Sequence, residues 1–200
     1  EHTDRDRDAF LEVMRLLGPR LGTLVLQFPF FSAGAFPHAE VFWERLDHFL
    51  GRLPRDLQVA VEIRNREWLG RPLLQLCRER GAALVLVDQG WMPHGDEIDT
   101  DPVTAPFSYV RLIGDREIIE AVTTTWGKVV LDRGPRIDRW AELLAGLVAR
   151  EVPTLVYVNN HYAGHAPATV ARLRQSFLRA VEERRKTQTQ AQDPARSPVT

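Results

Sequence analysis

The apolar positions of this chain fall into short runs separated by segments with a helical period. Five runs of six residues are almost entirely apolar and rich in β-branched or aromatic side chains, which is typical of buried strands. These runs are residues 23–28, 58–63, 83–88, 107–112 and 154–159. Because they are near-continuous rather than alternating, they favour a parallel sheet covered by helices.

Between the runs, apolar residues recur at the spacing of amphipathic helices. The helical segments are residues 6–17, 37–50, 73–80, 137–149 and 168–184. Gly18, Gly51 and Gly81 end the first three, as glycine does at helix carboxyl termini. Strands and helices that alternate with short connections predict parallel β/α units. Residues 93–106 read as a polar loop, and residues 128–131 as a candidate short strand.

The end of the chain has a different composition from the rest. Residues 185–200 have no apolar period and predict a disordered tail. Residues 1–184 predict one (β/α) domain, since 200 residues with 44% hydrophobic content can bury a single sizeable core.

Composition and charge narrow the classes of function. The formal net charge is −1, which argues against a strongly electrostatic nucleic-acid binder. Nearly all basic residues are arginines, which suit phosphate or carboxylate in a local cleft; genomic amino-acid bias is the alternative explanation.

Cys77 is the only cysteine, so no internal disulfide forms. No membrane span or signal peptide is visible, and a cytoplasmic protein without a membrane partner is expected.

Polar side chains gather where each apolar run ends. In β/α proteins the carboxyl ends of the strands open on one shared face, and reactive groups collect there. The residues at these ends are Gln27, Glu62, Arg64, Asp88, Arg111, Asn159 and Asn160. This common placement predicts a site on that face.

Alternation along the second run places Glu62 and Arg64 on the same face of its strand. Buried charges must be paired or solvated, so we expect Glu62 to pair with Arg64 or Arg111, with Asp88 close by. The mouth of a barrel, where water or a ligand has access, would accommodate such a lattice. A purely structural polar plug is the alternative.

Aromatic and histidine residues near the strand ends allow two readings each. Trp68 and Trp91 could stack on a ligand or pack a loop. His161 and His165 have the spacing of paired metal ligands on a helix. Gly164 lies between them and interrupts such a helix, so no metal site is predicted and the histidines are assigned to ligand binding.

The segment GHAPATV, at residues 164–170, begins the last helix directly after the last strand. A helix amino terminus in that position of a barrel is suited to binding phosphate. Together with Arg64 and Arg111 it could hold an anion, although an ordinary loop leading into a helix would look the same.

These segments give the chain a family resemblance. It resembles the YecE-like family, domain of unknown function 72, in LGTLVLQFP, VAVEIRNREW, LVLVD, YVRLIG, RWAELL and VYVNNHYAGHAPATV. The resemblance implies a TIM-type (β/α) barrel, of which these strands would be the last five of eight parallel units. The segments that carry the first strands in the family pattern are not found in this sequence. Carried over by position, the family's polar strand-end residues include Trp68 besides the seven named above.

Three functions remain open on the sequence alone. The first is an enzyme acting on a small anionic or phosphorylated substrate. The second is a metal-assisted, endonuclease-like barrel, supported only by the richness in arginine. The third is a non-catalytic binding scaffold. For the first function, the residues are Glu62 or Asp88 as general acid or base and, for ligand binding, Gln27, Arg64, Trp68, Arg111, Asn159, Asn160, His161 and His165. Neither a cofactor nor an oligomeric state follows from the pattern.

Overall fold

In the part of the chain that the structure describes, five parallel strands lie side by side in chain order and form a curled half-barrel sheet. The structure is a computed structural model that describes residues 2–192. Its strands are β1 Leu24–Gln27, β2 Val59–Glu62, β3 Ala83–Asp88, β4 Ser108–Leu112 and β5 Thr154–Val158. All five predicted strands are confirmed to within a residue at each end, and so is the α/β class. An eight-stranded barrel stays a prediction.

Within residues 2–192, six α-helices accompany the strands. They are α1 His2–Arg15, α2 Ala39–Gly51, α3 Arg71–Arg80, α4 Arg116–Val122, α5 Gly134–Ala149 and α6 Ala166–Gln192. Five were predicted, and α4 was not. Asp115 starts α4, because its Oδ1 accepts hydrogen bonds from the amides of Glu117 and Ile118.

The local structure differs from the sequence prediction in one loop and at the end of the last helix. Residues 128–131 are not a strand; the Val130 amide instead donates to the carbonyl of Ala163 within a loop. Helix α6 extends through residues 185–192, beyond the predicted end of the last helix at residue 184. Straight-chain polar residues are good helix formers, and Glu182 pairs with Lys186 one turn later at 2.8 Å, so no buried face is required. Residues 193–200, the rest of the predicted tail, lie outside the described residues.

The two faces of the sheet are packed differently. Val61, Leu84 and Val110 point toward the helices and belong to the larger hydrophobic core, which Trp140 of α5 completes. The concave face carries a smaller apolar cluster. Its buried members are Ala60, Ala83, Val85, Val87, Phe107 and Tyr109. Because side chains alternate along a strand, the face of each strand-end residue follows from its position.

Candidate functional site

Strand register brings three of the predicted site residues to the concave face. Gln27 of β1 pairs with Glu62 of β2, and both stand on the same side of the sheet as Ala60. Arg111 of β4 pairs with Val87 of β3, another residue of that face. The side chains of Gln27, Glu62 and Arg111 therefore lie on one face, at the carboxyl ends of β1, β2 and β4.

Glu62 is the centre of this group, and its side chain is completely buried. Arg111 Nη1 lies 2.5 Å from Glu62 Oε2, and Arg64 contacts the other carboxylate oxygen with Nη2. Arg111 Nη1 also donates to Gln27 Oε1 at 3.2 Å. We call Gln27, Glu62, Arg64 and Arg111 the Glu62 cluster. The predicted pairing of Glu62 with an arginine is confirmed, and both arginines take part.

The charges in the Glu62 cluster do not balance. Two guanidinium groups face one carboxylate, which leaves one positive charge at the rim. The side chain of Arg111 keeps 29% of its surface exposed, so solvent or a small molecule can reach it. Charge-assisted hydrogen bonds between arginine and an oxyanion are strong and geometrically specific. The cluster is therefore suited to accept one more anion.

Several buried polar atoms at this rim lack a hydrogen bond within the described residues. They are Arg64 Nε, Gln89 Oε1 and Glu62 Oε1, the last of which has only its ion pair with Arg64. Gln89 follows β3 directly. Buried donors and acceptors in native proteins are nearly always satisfied, by protein, water or a bound molecule. Two members of the Glu62 cluster, Glu62 and Arg64, thus carry unused hydrogen-bonding atoms as well as contributing to its excess positive charge.

Two tyrosines extend the concave face beside Arg111. The rings of Tyr109 and Tyr157 stack with centroids 5.1 Å apart and an interplanar angle of 21°. Burial, followed by the neighbouring Tyr157, raises the pKa of Tyr109 above its ordinary value. Tyr157, which pairs with Arg111 in the sheet, is 51% exposed and offers a flat phenolic surface.

Asp88 is not brought together with Glu62. It pairs with Leu112, whose side chain belongs to the helix-side core, so Asp88 stands on the opposite face of the sheet. Its carboxylate accepts hydrogen bonds from Arg136 Nε at 2.6 Å, Trp140 Nε1 at 2.6 Å and Tyr162 Oη at 2.8 Å. Three donors from the helix side surround it, and Asp88 joins the sheet to α5.

The two tryptophans considered from the sequence differ in exposure: Trp68 is buried and Trp91 is exposed. Trp68 is buried in an aromatic cluster, with its ring 5.1 Å from Phe42 and 6.0 Å from Phe31. Trp91 is exposed, and its indole Nε1 donates to the carbonyl of Arg64 at 3.3 Å. Trp91 therefore contacts the backbone of one residue of the Glu62 cluster, whereas Trp68 packs against phenylalanines.

The polar residues after β5 bond mainly to one another and to their own backbone. Asn159 Oδ1 accepts from the amide of His161 at 3.0 Å. Asn160 Oδ1 accepts from the amide of Ala166 at 2.8 Å and so occupies the amino terminus of α6, the predicted phosphate seat. His161 Nε2 lies 3.1 Å from Glu120 Oε1, and the carbonyl of His165 accepts from Thr169. None of these contacts joins them to Glu62.

Comparison with known proteins gives the family. The family described as "Protein of unknown function DUF72" matches residues 1–195. The chain belongs to the DUF72 family. No curated protein matches it.

Two crystal structures of DUF72 proteins resemble the fold. A DUF72 family protein from Thermotoga maritima is 22% identical, with a TM-score of 0.50 over 86% of this chain and 64% of that one. One from Enterococcus faecalis is 20% identical, with a TM-score of 0.56 over 84% of this chain and 66% of the other. This chain thus spans slightly less than two thirds of these relatives, and at this identity the likeness concerns the fold alone.

One cavity of this DUF72 chain lies beside the Glu62 cluster rather than in it. It has a volume of about 940 Å³ and runs along β1 and α2. Gln27 is its only residue from the cluster, and much of its wall is phenylalanine: Phe28, Phe31, Phe36, Phe42 and Phe49. We assign no ligand to it, because it runs along β1, which pairs with β2 on one side and has no second partner strand among the described residues.

Residues 2–192 of the DUF72 chain hold neither a metal-binding cluster nor a membrane-spanning helix. No group of three or more histidine, cysteine, aspartate or glutamate side chains is placed to hold a metal ion in that part. None of its helices has the length and apolar character needed to cross a bilayer.

Proposed function

We propose that this DUF72 protein binds a small anionic or phosphorylated compound at the Glu62 cluster and that Glu62 acts on it as general acid or base. One observation carries the proposal. A fully buried carboxylate is held by two arginines at the carboxyl ends of parallel strands, and one positive charge is left over. Ligands of β/α proteins bind at that end of the sheet.

Arg111 is the residue best placed to contact the anion. Of the nitrogen atoms in its guanidinium group, only Nη1 forms hydrogen bonds with the described residues, and these go to Glu62 and Gln27. Its other donors are in the plane of the same guanidinium and are suited to a second oxyanion. Arg64 is more enclosed, with 11% of its side chain exposed, and supports the charge from within.

Glu62 supplies the only carboxylate of the cluster. Its position next to both arginines would place it beside an anion bound to Arg111 and within reach of a proton on that ligand. Asp88, the other acid or base considered, is a weaker candidate because three donors on the helix side hold its carboxylate.

The test is anion binding, measured by isothermal titration with inorganic phosphate and with acetate. We expect the wild type to bind one of them and Arg111→Ala to lose that binding while its circular dichroism stays unchanged. Arg150→Ala is the matched control, because Arg150 also pairs with an acid but lies in the surface pair with Asp101. Binding that survives in Arg111→Ala, or that is absent from the wild type at millimolar anion, contradicts the proposal.

The role of Glu62 as acid or base needs a separate variant. Glu62→Gln keeps the shape of the side chain but cannot exchange a proton. For any substrate that the wild type converts, this variant is expected to retain binding and lose turnover. If turnover persists in Glu62→Gln, the carboxylate only holds the arginines in place.

A further inference from the structure

We infer that the anion bound at the Glu62 cluster carries a planar ring and that Trp91 is the side chain on which this ring stacks. The inference rests on the proposed anion site and names the chemical class of its ligand. Three observations support it: the fixed and exposed indole of Trp91, the unpaired acceptor of Gln89, and the flat surface of Tyr157.

The indole of Trp91 is held in place without being covered. Its one polar atom, Nε1, donates to the carbonyl of Arg64, so the ring needs no other partner for its N–H. The residue is nevertheless 47% exposed, and within residues 2–192 it stacks on no other aromatic ring. A large apolar ring whose polar edge is already satisfied gains by covering its face.

The position of Trp91 ties that face to the anion site. The carbonyl to which it is bonded belongs to Arg64, whose guanidinium contacts Glu62. A molecule with its anionic group on Arg111 would therefore extend over the end of β2 toward the indole. Arg64 links the charge-binding and ring-binding parts of the proposed site.

Gln89 provides an unused acceptor two residues before Trp91. Its Oε1 is buried and accepts no hydrogen bond within the described residues. The amide of Met92 donates to the carbonyl of Gln89, which closes a tight turn around Trp91. A buried acceptor without a donor is unfavourable, and an N–H or O–H on the ring of a ligand would satisfy it.

Tyr157 provides a second flat surface at the same rim. It pairs with Arg111 across β4 and β5, and its exposed ring is backed by Tyr109. An aromatic residue is thus tied to each arginine of the Glu62 cluster, Trp91 through the backbone carbonyl of Arg64 and Tyr157 by pairing with Arg111 in the sheet. Such a rim favours an aryl phosphate or aryl carboxylate over a small inorganic anion.

The experiment compares anions that differ only in the ring. Phenyl phosphate is titrated against methyl phosphate, and benzoate against acetate, with binding followed by isothermal titration. We expect the aryl member of one pair to bind about threefold to tenfold more tightly, as stacking contacts allow. Trp91→Ala should remove that difference and leave the affinity for the methyl compound unchanged.

Control variants separate stacking from other effects. Trp91→Phe keeps a ring and should retain part of the preference for the aryl compound. Trp126→Ala should retain all of it, because the ring of Trp126 packs on that of His161, with centroids 4.7 Å apart. Circular dichroism and unfolding midpoints establish that each variant is folded.

The outcomes distinguish this inference from the proposed function. If no anion binds, the anion site itself is wrong. If methyl phosphate or acetate binds and the aryl partner binds no better, the anion site stands and the role of Trp91 is wrong. A Trp91→Ala variant that weakens the aryl and methyl compounds equally also overturns stacking, because the indole would then act only by positioning Arg64.

Discussion

Glu62 shows how one buried charge can link the stability of a site to its chemistry. Its carboxylate has no exposed surface and depends on Arg64 and Arg111 for compensation, while each arginine depends on it. Isolated buried ions are strongly unfavourable, so the carboxylate of Glu62 and the two guanidinium groups must stay in contact in the folded protein.

Removal of this carboxylate gives a test of stability. Glu62→Ala leaves two guanidinium groups without their anion and is expected to lower the free energy of unfolding by roughly 3 kcal/mol or more. Urea unfolding measures the change. Asp101→Ala, which breaks the exposed pair with Arg150, should cost less than about 1 kcal/mol. An unfolding midpoint of Glu62→Ala equal to that of the wild type would contradict the buried ion pair.

His94 gives the stability a dependence on pH. Its ring is buried, and burial lowers its pKa, against the smaller opposing effects of Asp96 and Asp88; Arg139 lowers it further. Nε2 has no hydrogen-bond partner within the described residues, and the ring lies 4.1 Å from that of Trp140. The folded protein therefore takes up a proton at His94 less readily than the unfolded chain does.

The sign of that dependence follows from the lowered pKa. As pH falls below the unfolded value of about 6.5, the unfolded chain is protonated first and folding becomes less favourable. We expect the wild type to lose more stability between pH 7.5 and pH 5.5 than His94→Phe does, by urea unfolding at both values. His38→Gln, at an exposed position, should behave as the wild type does. Equal losses in the wild type and His94→Phe would show that His94 titrates normally.

At the scale of elements, two glycines allow the rim loops to pack closely. Gly114 follows β4 with a φ of +74°, and a Cβ there would come within 2.3 Å of the carbonyl oxygen of His161. Gly164 has a φ of +106°, and a Cβ there would come within 2.7 Å of the carbonyl oxygen of Lys128. Both positions need the absence of a side chain as well as a left-handed backbone. The loops after β4 and β5 are joined through them.

Gly114→Ala tests this packing. The substitution adds a strained backbone and a collision with another backbone segment, so we expect a loss of about 2 kcal/mol or more in the free energy of unfolding. Gly127→Ala is the control, since a Cβ there meets no atom within 4 Å and the φ of Gly127 is not positive. Thermal unfolding of both variants provides the comparison. A Gly114→Ala variant as stable as Gly127→Ala would mean that the two loops can separate freely.

The elements also show which features the sequence could predict. Strands were placed correctly because six-residue apolar runs leave little ambiguity, whereas α4 was missed because it has seven residues and only Ile119 is buried. The sequence could also predict that Asp88 stands on the helix side of the sheet, because side chains alternate along β3 and Asp88 falls on the same face as Leu84 and Leu86 of the larger hydrophobic core. The sequence could not predict which of Trp68 and Trp91 is buried. Both follow strands in loops whose course depends on tertiary contacts, such as the hydrogen bond from Trp91 Nε1 to the carbonyl of Arg64.

At the scale of the whole molecule, the described sheet has two edges, β1 and β5, and an apolar surface next to one of them. Helix α1 precedes β1 and buries Leu11, yet Phe10 and Val13 of the same helix are exposed. Leu16, directly after α1, is 84% exposed. Contiguous exposed apolar side chains promote association, and unpaired strand edges add to it.

This surface gives a last prediction about the described part of the chain. Val13→Glu combined with Leu16→Glu should reduce self-association, measured by light scattering across a range of protein concentrations. The free energy of unfolding should change by less than about 0.5 kcal/mol, because neither side chain is buried. Leu11→Glu is the contrasting variant, since it places a charge in a buried position and should destabilise the fold. If Val13→Glu with Leu16→Glu unfolds the protein as Leu11→Glu does, the exposed face of α1 must be covered in solution.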